Sequence, residues 1–284
     1  MRDHRTEFRV SVMCRLLKIH RSGYYAWLRG SHAPRAREDA RLTGLIKQHW
    51  LEAGAVYGYR KIATDLRMLG ERCSRHRVAR LMRRAGLKAQ IGYRRPRPYG
   101  GSAAASVAGN VLDRQFEPAA ANRSWVTDIT YLRTGEGFLF LAVVIDLYSR
   151  QVVGWAMRPS LHTDLVLAAL LAAMWRRKPP PGLVLHSDQG CQFTSDEWQS
   201  FLHSHGIVCS MSRRGNCHDN AVAESFFQLL KRERIRRRLY PTHAAARADV
   251  FDDIEMFYNS KRRHGSNGGL SPREFELRHQ TIGT

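Results

Sequence analysis

The sequence predicts an α/β protein: a mixed five-stranded sheet flanked by helices, preceded by an all-α helix-turn-helix region. Three observations carry that prediction. Residues 1–90 break into short apolar patterns of helical period, punctuated by glycines and crowded with arginine. Residues 91–123 include "YRRPRPYGGSAAASVAGN", whose Pro, Gly, Ala and Ser content reads as a linker. From 124 to 240, β-rich runs come first and then alternate with helical ones, the pattern of a mixed sheet covered by helices. Residues 241–284 read as a C-terminal helical segment that closes the core.

In order, "SVMCRLLKIH" is a helical segment, and "RSGYYAWLRG" restarts with Ser22 as N-cap and stops at Gly30. A third helix over 38–50 carries Leu42, Leu45 and Ile46 as its apolar stripe. "YRKIATDLRMLG" ends at Gly70, and "SRHRVARLMRRAG" runs from Ser74 to Gly86; together they outline a helix-turn-helix. In the second of these helices Val78, Leu81 and Met82 face inward, leaving Arg75, Arg77, Arg80, Arg83 and Arg84 for DNA or solvent. A merely solvated basic face is the competing view. "SWVTDITYLRT", "GFLFLAVVIDLYSR" and "QVVGWAMRPS" are three β-rich runs. "TDLVLAALLAAMWRRK" is a helix, "LVLHSD" a short buried strand, "SDEWQSFLHSHG" a helix, "IVCSMS" a strand, and "GNCHDNAVAESFFQLLKRE" a long helix.

Charge sets the class of partner. Residues 1–100 hold 24 Lys+Arg and 7 Asp+Glu, and the other 184 residues hold 22 and 18. The excess is thus an N-terminal property, as expected of a region that meets a polyanion such as double-stranded DNA. The longest apolar run, "LVLAALLAAMW", falls short of the roughly 20 residues a bilayer requires, so no membrane role is expected. Neither a signal-peptide core nor paired CxxC spacing is present; the five cysteines are read as free thiols in a reducing cytoplasm.

Three acids stand in unusual places. Asp128 lies inside a β-branched and aromatic strand, where an unpaired carboxylate is costly to bury and calls for a partner or a metal. Asp188 ends a strand ahead of a glycine, where α/β sheets place ligand sites. Glu224 sits 35 intervening residues further on, on a helix that aligns Asn220, Glu224, Phe227, Gln228 and Lys231 on one face, with Phe227 and Leu229 as its anchors. Lys231 is roughly 10 Å along the axis from Glu224, far enough to hold a DNA phosphate. Taken singly, each acid has an ordinary structural explanation. Asp146, in "DLYSR", reads as a structural corner between strands, and His186 as a side chain that packs beside Asp188.

Jointly, "TDITYL", "HSDQGCQFTS" and "RRGNCHDNAVAESFFQLLKRE" resemble the D, D(35)E core of retroviral integrases and related transposases. The chain is most similar to the OrfB subunit of bacterial transposases of the insertion-sequence-three family. Gly190, Ser212, Gly215, Asn216, Asp219, Asn220 and Lys231 fall at that family's motif positions. "FYNSKRRHGSNGGLSPREFE" looks like its closing segment, with Tyr258, Asn259, Arg262, Arg263 and His264 in place. The resemblance implies a ribonuclease-H-like integrase catalytic core, and a DDE transposase that nicks insertion-sequence ends and then joins the freed 3′-OH to another phosphodiester. It implies two ions, Mg²⁺ or Mn²⁺, with Asp128 bridging both and Asp188 and Glu224 each holding one. The expected DNA-binding residues are Lys231, Arg75, Arg77, Arg80, Arg84, Arg213, Arg214, Arg262 and Arg263. It also implies a bacterial, nucleoid-associated protein that forms a homo-oligomer on DNA and has an upstream OrfA subunit, separate or fused, as partner. No heptad run is seen and the chain begins near the OrfB start, so it is expected to be the downstream product alone. Two alternatives stand beside this one: a ribonuclease-H-type nuclease without strand transfer, and a non-enzymatic DNA-binding regulator from a decayed element.

Overall fold

The computed structural model describes residues 1–28, 34–90, 108–213 and 217–280. The chain divides into two compact units, Met1–Ala89 and Gln90–Thr284.

The first unit is helical: α1 (Val10–Leu16), α2 (Arg21–Leu28), α3 (Pro34–Glu52), α4 (Tyr59–Met68) and α5 (Arg75–Arg84). Leu42 and Ile46 of α3, Ile62, Ala63 and Leu66 of α4, and Val78, Leu81 and Met82 of α5 are buried. Leu45, expected in the α3 stripe, is only half-buried. The chain leaves α4 through Gly70 at φ 84°, a left-handed conformation that suits glycine. It enters α5 at Ser74, whose hydroxyl accepts from Arg77 N. Ser22 lies inside α2 rather than at its cap, and α3 begins four residues earlier than its apolar pattern suggested, because polar and alanine-rich turns extend a helix without an apolar stripe.

The second unit carries β1 (Ser124–Thr134), β2 (Gly137–Asp146), β3 (Val152–Arg158), α6 (Thr163–Arg177), β4 (Val184–Ser187), α7 (Asp196–Ser204) and β5 (Val208–Met211). A 3₁₀ turn (Cys217–Asn220) leads into α8 (Ala221–Glu233), then α9 (His243–Phe251) with a π-helical continuation (Asp252–Tyr258), and α10 (Pro272–Gln280). The sheet order is β3-β2-β1-β4-β5, antiparallel at β1–β2 and β2–β3 and parallel at β1–β4 and β4–β5. The mixed five-stranded sheet flanked by helices is therefore present.

Alternation along the strands gives two cores. Val126, Leu132, Leu141 and Val143 pack with Ala223, Phe226, Phe227 and Leu230 of α8. Trp125, Ala142, Val144 and Val153 pack with Leu165, Val166, Ala169 and Leu170 of α6. α6 lies so close to β3 that a Cβ on Gly154 would come within 2.3 Å of the Ala169 carbonyl oxygen, so only glycine fits.

Residues 91–107 of the expected linker lie outside the described residues. Its remainder is built into the second unit: Leu112 is buried in the α8-side core, and its N–H donates to Ser210 Oγ at 3.0 Å. At the opposite edge, Asn259 brackets Val152 of β3, accepting from its N–H and donating to its carbonyl, each at 2.9 Å. Tyr258 packs edge-on against Phe226 and against His264, both with centroids 4.8 Å away. Among the described residues no helix is long and apolar enough to cross a membrane.

Candidate active site

Strand register brings two of the three acids together. In the parallel β1–β4 pair the last matched residues are Val126 and His186. Asp128 and Asp188 each lie two residues further on, so they are level with one another on neighbouring strands, which run about 4.8 Å apart. Period two puts Asp128 on the face of Val126 and Leu132, the face that α8 covers. Asn220, at the foot of α8, donates from Nδ2 to the Thr127 carbonyl at 3.3 Å, tying the helix to β1 beside Asp128. One turn later Glu224 emerges half-buried at the margin of the stripe Ala223, Phe226, Phe227 and Leu230. Leu229, expected to anchor the helix, is half-buried at the side of that stripe, and Leu230 takes the inner position.

The electrostatics are those of a site crowded with negative charge. Burial, then the neighbouring Asp188 charge, pushes the Asp128 carboxyl up to about 7, with Glu224 adding to the rise; the Ile129 N–H at 2.7 Å and Lys231 oppose it. Burial also raises Asp188, although its side chain reaches the solvent at the mouth; the Gly190 N–H, 2.9 Å from Oδ1, pulls the other way and Glu224 adds to the rise. An open cleft of about 160 Å³ lies between Asp128, Tyr131, Asp188, Gly190 and Phe193. Lys231 holds its ammonium 5.2 Å above the Tyr131 ring, half-buried, and burial lowers its pKa. Among the described residues no three His, Cys, Asp or Glu side chains close round a single point.

The neighbouring polar residues are committed elsewhere. His186 is fully buried, with Nδ1 2.9 Å from Ser210 Oγ and Nε2 3.0 Å from Ser212 Oγ; burial lowers it to about 4, so it is a neutral packing group. Asp146 accepts from the Asn122 and Tyr148 N–H groups and lies 3.2 Å from Arg177, which also binds Glu276 of α10.

Asp219 carries more than its sequence context indicated. Fully buried, it accepts from the Arg213 backbone N–H and guanidinium, from Arg114 Nε at 2.8 Å and from Asn110 Nδ2 at 3.1 Å. Its pKa is held well below the usual carboxylate range, by the Arg213 hydrogen bond above all. Asp219 therefore clamps the strand-to-helix connection directly ahead of Asn220. The sequence marked Asp219 through its place in the family motif but not through its clamp, since Arg114, one of its two arginine partners, lies 105 residues away.

Several arginines expected to meet DNA have internal partners. Arg77 and Arg80 both reach Asp39 of α3, at 2.7 and 2.8 Å, because a carboxylate at 8% exposure needs neutralising. Arg213 holds Asp219, and Arg262, itself buried, holds Glu233 at 2.6 Å. Arg263 is half-buried and donates to the Gly269 carbonyl at 3.0 Å. Arg75 and Arg84 remain exposed on α5, and Arg214 lies outside the described residues.

Comparison with known proteins agrees with this architecture. Residues 118–217 and 205–272 each match an integrase core domain family, and residues 36–97 match an HTH-like domain. Transposase InsF for insertion sequence IS3A, from Escherichia coli (strain K12), is 40% identical over 276 residues, covering 96% of each chain. The insertion element IS600 31 kDa protein of Shigella sonnei is 36% identical over 269 residues, 94% of this chain and 99% of its own. Among solved structures, the HTLV-2 integrase catalytic core domain in complex with magnesium aligns at a TM-score of 0.44 with 19% identity, over 56% of this chain and 98% of that one. With an identity of two residues in five over nearly its whole length, the chain belongs to the family of IS3 insertion-sequence transposases.

Proposed function

We propose that Asp128, Asp188 and Glu224 are the catalytic carboxylates of this transposase and that they hold two divalent ions, Mg²⁺ or Mn²⁺, for DNA strand cleavage and 3′-OH strand transfer at element ends. The observation that carries this assignment is the register of β1 on β4, which sets Asp128 level with Asp188, while the Asn220–Thr127 bond holds the Glu224 helix against the same strand. The donor set suits hard cations, which prefer carboxylate oxygens. Asp128, Asp188 and Glu224 would hold the ions between them.

Two ions bound there would supply an activated oxygen nucleophile on one side of the phosphate and stabilise the departing 3′-oxygen on the other. The chain's own groups do the rest. Asp128 and Asp188 repel one another, so the pair would favour a bound cation. The Gly190 N–H fixes the Asp188 carboxylate at the strand end. Lys231, held over Tyr131 on the same strand as Asp128, is placed to steady a phosphate beside the acids. Exposed Arg75 and Arg84 serve the duplex on the first unit.

The test is an assay with labelled element ends, Mg²⁺ or Mn²⁺ and a target plasmid. Joined product supports the assignment. Nicks without joining favour a ribonuclease-H-type nuclease, and a shifted but uncut band favours a DNA-binding regulator. Light scattering of the complex tests for a homo-oligomer on DNA, and an upstream OrfA subunit is added in a parallel arm to test for that partner.

A further inference from the structure

We infer that α1 and α2 form a second helix-turn-helix and that α2 lies against duplex DNA with Arg21, Ser22 and Gly23 at the contact. The HTH-like match covers residues 36–97 and leaves this pair outside it. Four residues, 17–20, separate α1 from α2, the length of a tight helix-turn-helix connection; α4 and α5 are separated by six, 69–74. Both turns close in the same way. Lys18 at φ 50° stands where Gly70 stands at φ 84°. The Lys18 N–H donates to the Arg15 carbonyl at 3.2 Å and the Gly70 N–H to that of Arg67 at 3.0 Å. One residue later, Ile19 N–H reaches Cys14 O at 3.0 Å and Glu71 N–H reaches Leu66 O at 2.9 Å. A lysine in the left-handed region is unfavourable and persists where the surrounding structure requires that turn.

The two helices bury Cys14 and Tyr24, with Tyr24 in an aromatic group with Tyr25 and Trp27 at 5.4 and 6.2 Å. Arg21, Ser22 and Gly23, the first turn of α2, are exposed. The first turn of a second helix is the part that reaches base edges in this motif.

Gly23 supplies an independent indication. It sits within a helix without a left-handed φ, and a Cβ there would meet nothing within 4 Å. Neither backbone conformation nor internal packing calls for glycine, and glycine weakens a helix relative to alanine. Gly44 of α3 shares these features, and what sets Gly23 apart is its place in the exposed first turn of α2, where close approach of an external surface to the backbone would favour glycine. Six Lys and Arg against two acids in residues 1–28 make that surface a polyanion. The exposed apolar residues Val12, Leu16, Leu17 and Ile19 belong to α1 and the turn, and suit a protein partner as the rival occupant.

The full chain is titrated, in EDTA, onto a fluorescein-labelled duplex carrying one end of the encoding element, with a scrambled duplex for comparison, over a series of salt concentrations. Arg21→Ala is expected to weaken binding about tenfold and to reduce the salt slope by about one. Gly23→Ala is expected to weaken binding by a similar factor without lowering the melting temperature. Unchanged affinity and slope in both variants would overturn the proposal. So would unchanged affinity accompanied by a change in particle mass by light scattering, which would make the face a protein interface. If Gly23→Ala lowers both melting temperature and binding, Arg21→Ala decides. Binding in EDTA is independent of cutting, so the carboxylate assignment can fail without affecting this result.

Discussion

Asp219 and Asp128 sit at the two ends of one short tie, the Asn220–Thr127 bond, yet they are opposite kinds of buried carboxylate. Asp219 is surrounded by two guanidinium groups, an amide and a backbone N–H, and its pKa falls. Asp128 has one backbone N–H, a lysine held partly aside on Tyr131, and two neighbouring acids, and its pKa rises to about 7. A fold this rich in arginine could have neutralised both. Of this pair it neutralises the one behind the helix and leaves the other raised, which is the contrast the proposed cation site draws on.

The contrast breaks most sharply under substitution. Asp128→Asn, Asp188→Asn and Glu224→Gln are each expected to lower cleavage and joining by roughly 10³-fold or more, above the 10–100-fold typical of residues that only support a ligand. Duplex affinity in EDTA should change little. A Glu224→Gln protein that cleaves at near the wild-type rate would refute the assignment.

Asp219→Asn probes the other end of the tie. It keeps the shape but removes the charge that draws in Arg213 and Arg114, so cleavage is expected to fall roughly 10–100-fold, as for a supporting residue. Single-turnover rates over a series of Mg²⁺ concentrations distinguish it from a ligand: added metal should leave the defect in place. An unchanged rate would reduce Asp219 to a bystander.

The smallest effect is thermodynamic. The folded-state pKa of Asp128 is raised above its unfolded value, so the native state binds more protons between the two values. Without divalent ions, stability from this group is full below the unfolded value and is lost as pH rises through about 7. Melts in EDTA at about pH 5 and about pH 8 should show a drop for the wild type that Asp128→Asn reduces, the remainder coming from Asp253, which burial also pushes up to about 7. Equal drops in both proteins would show that Asp128 is not the group responsible.

Much of this arrangement was legible in the sequence. The β-branched run round Asp128, the strand-end Asp188 and the apolar spacing round Glu224 marked their elements, because period and burial are local properties. The register that makes Asp128 level with Asp188 is a pairing across about 60 residues and leaves no local trace. The same holds for the arginines. Arg77 and Arg213 were expected to bind DNA because the acids that hold them, Asp39 and Asp219, are brought to them by tertiary folding. Leu112 was hidden in a stretch whose Gly, Ala and Ser composition suggested a linker, and one leucine is too little to alter such a pattern.

The brackets at the two margins of the sheet have a consequence for solubility. β3 and β5 are the outermost strands, and outermost strands offer unpaired backbone groups to any passing chain. Asn259 occupies Val152 on one side, and the Gly109 carbonyl takes the Met211 N–H on the other. Both guards come from segments outside the sheet. These bonds occupy backbone groups of the outer strands that a strand from another chain would otherwise pair with.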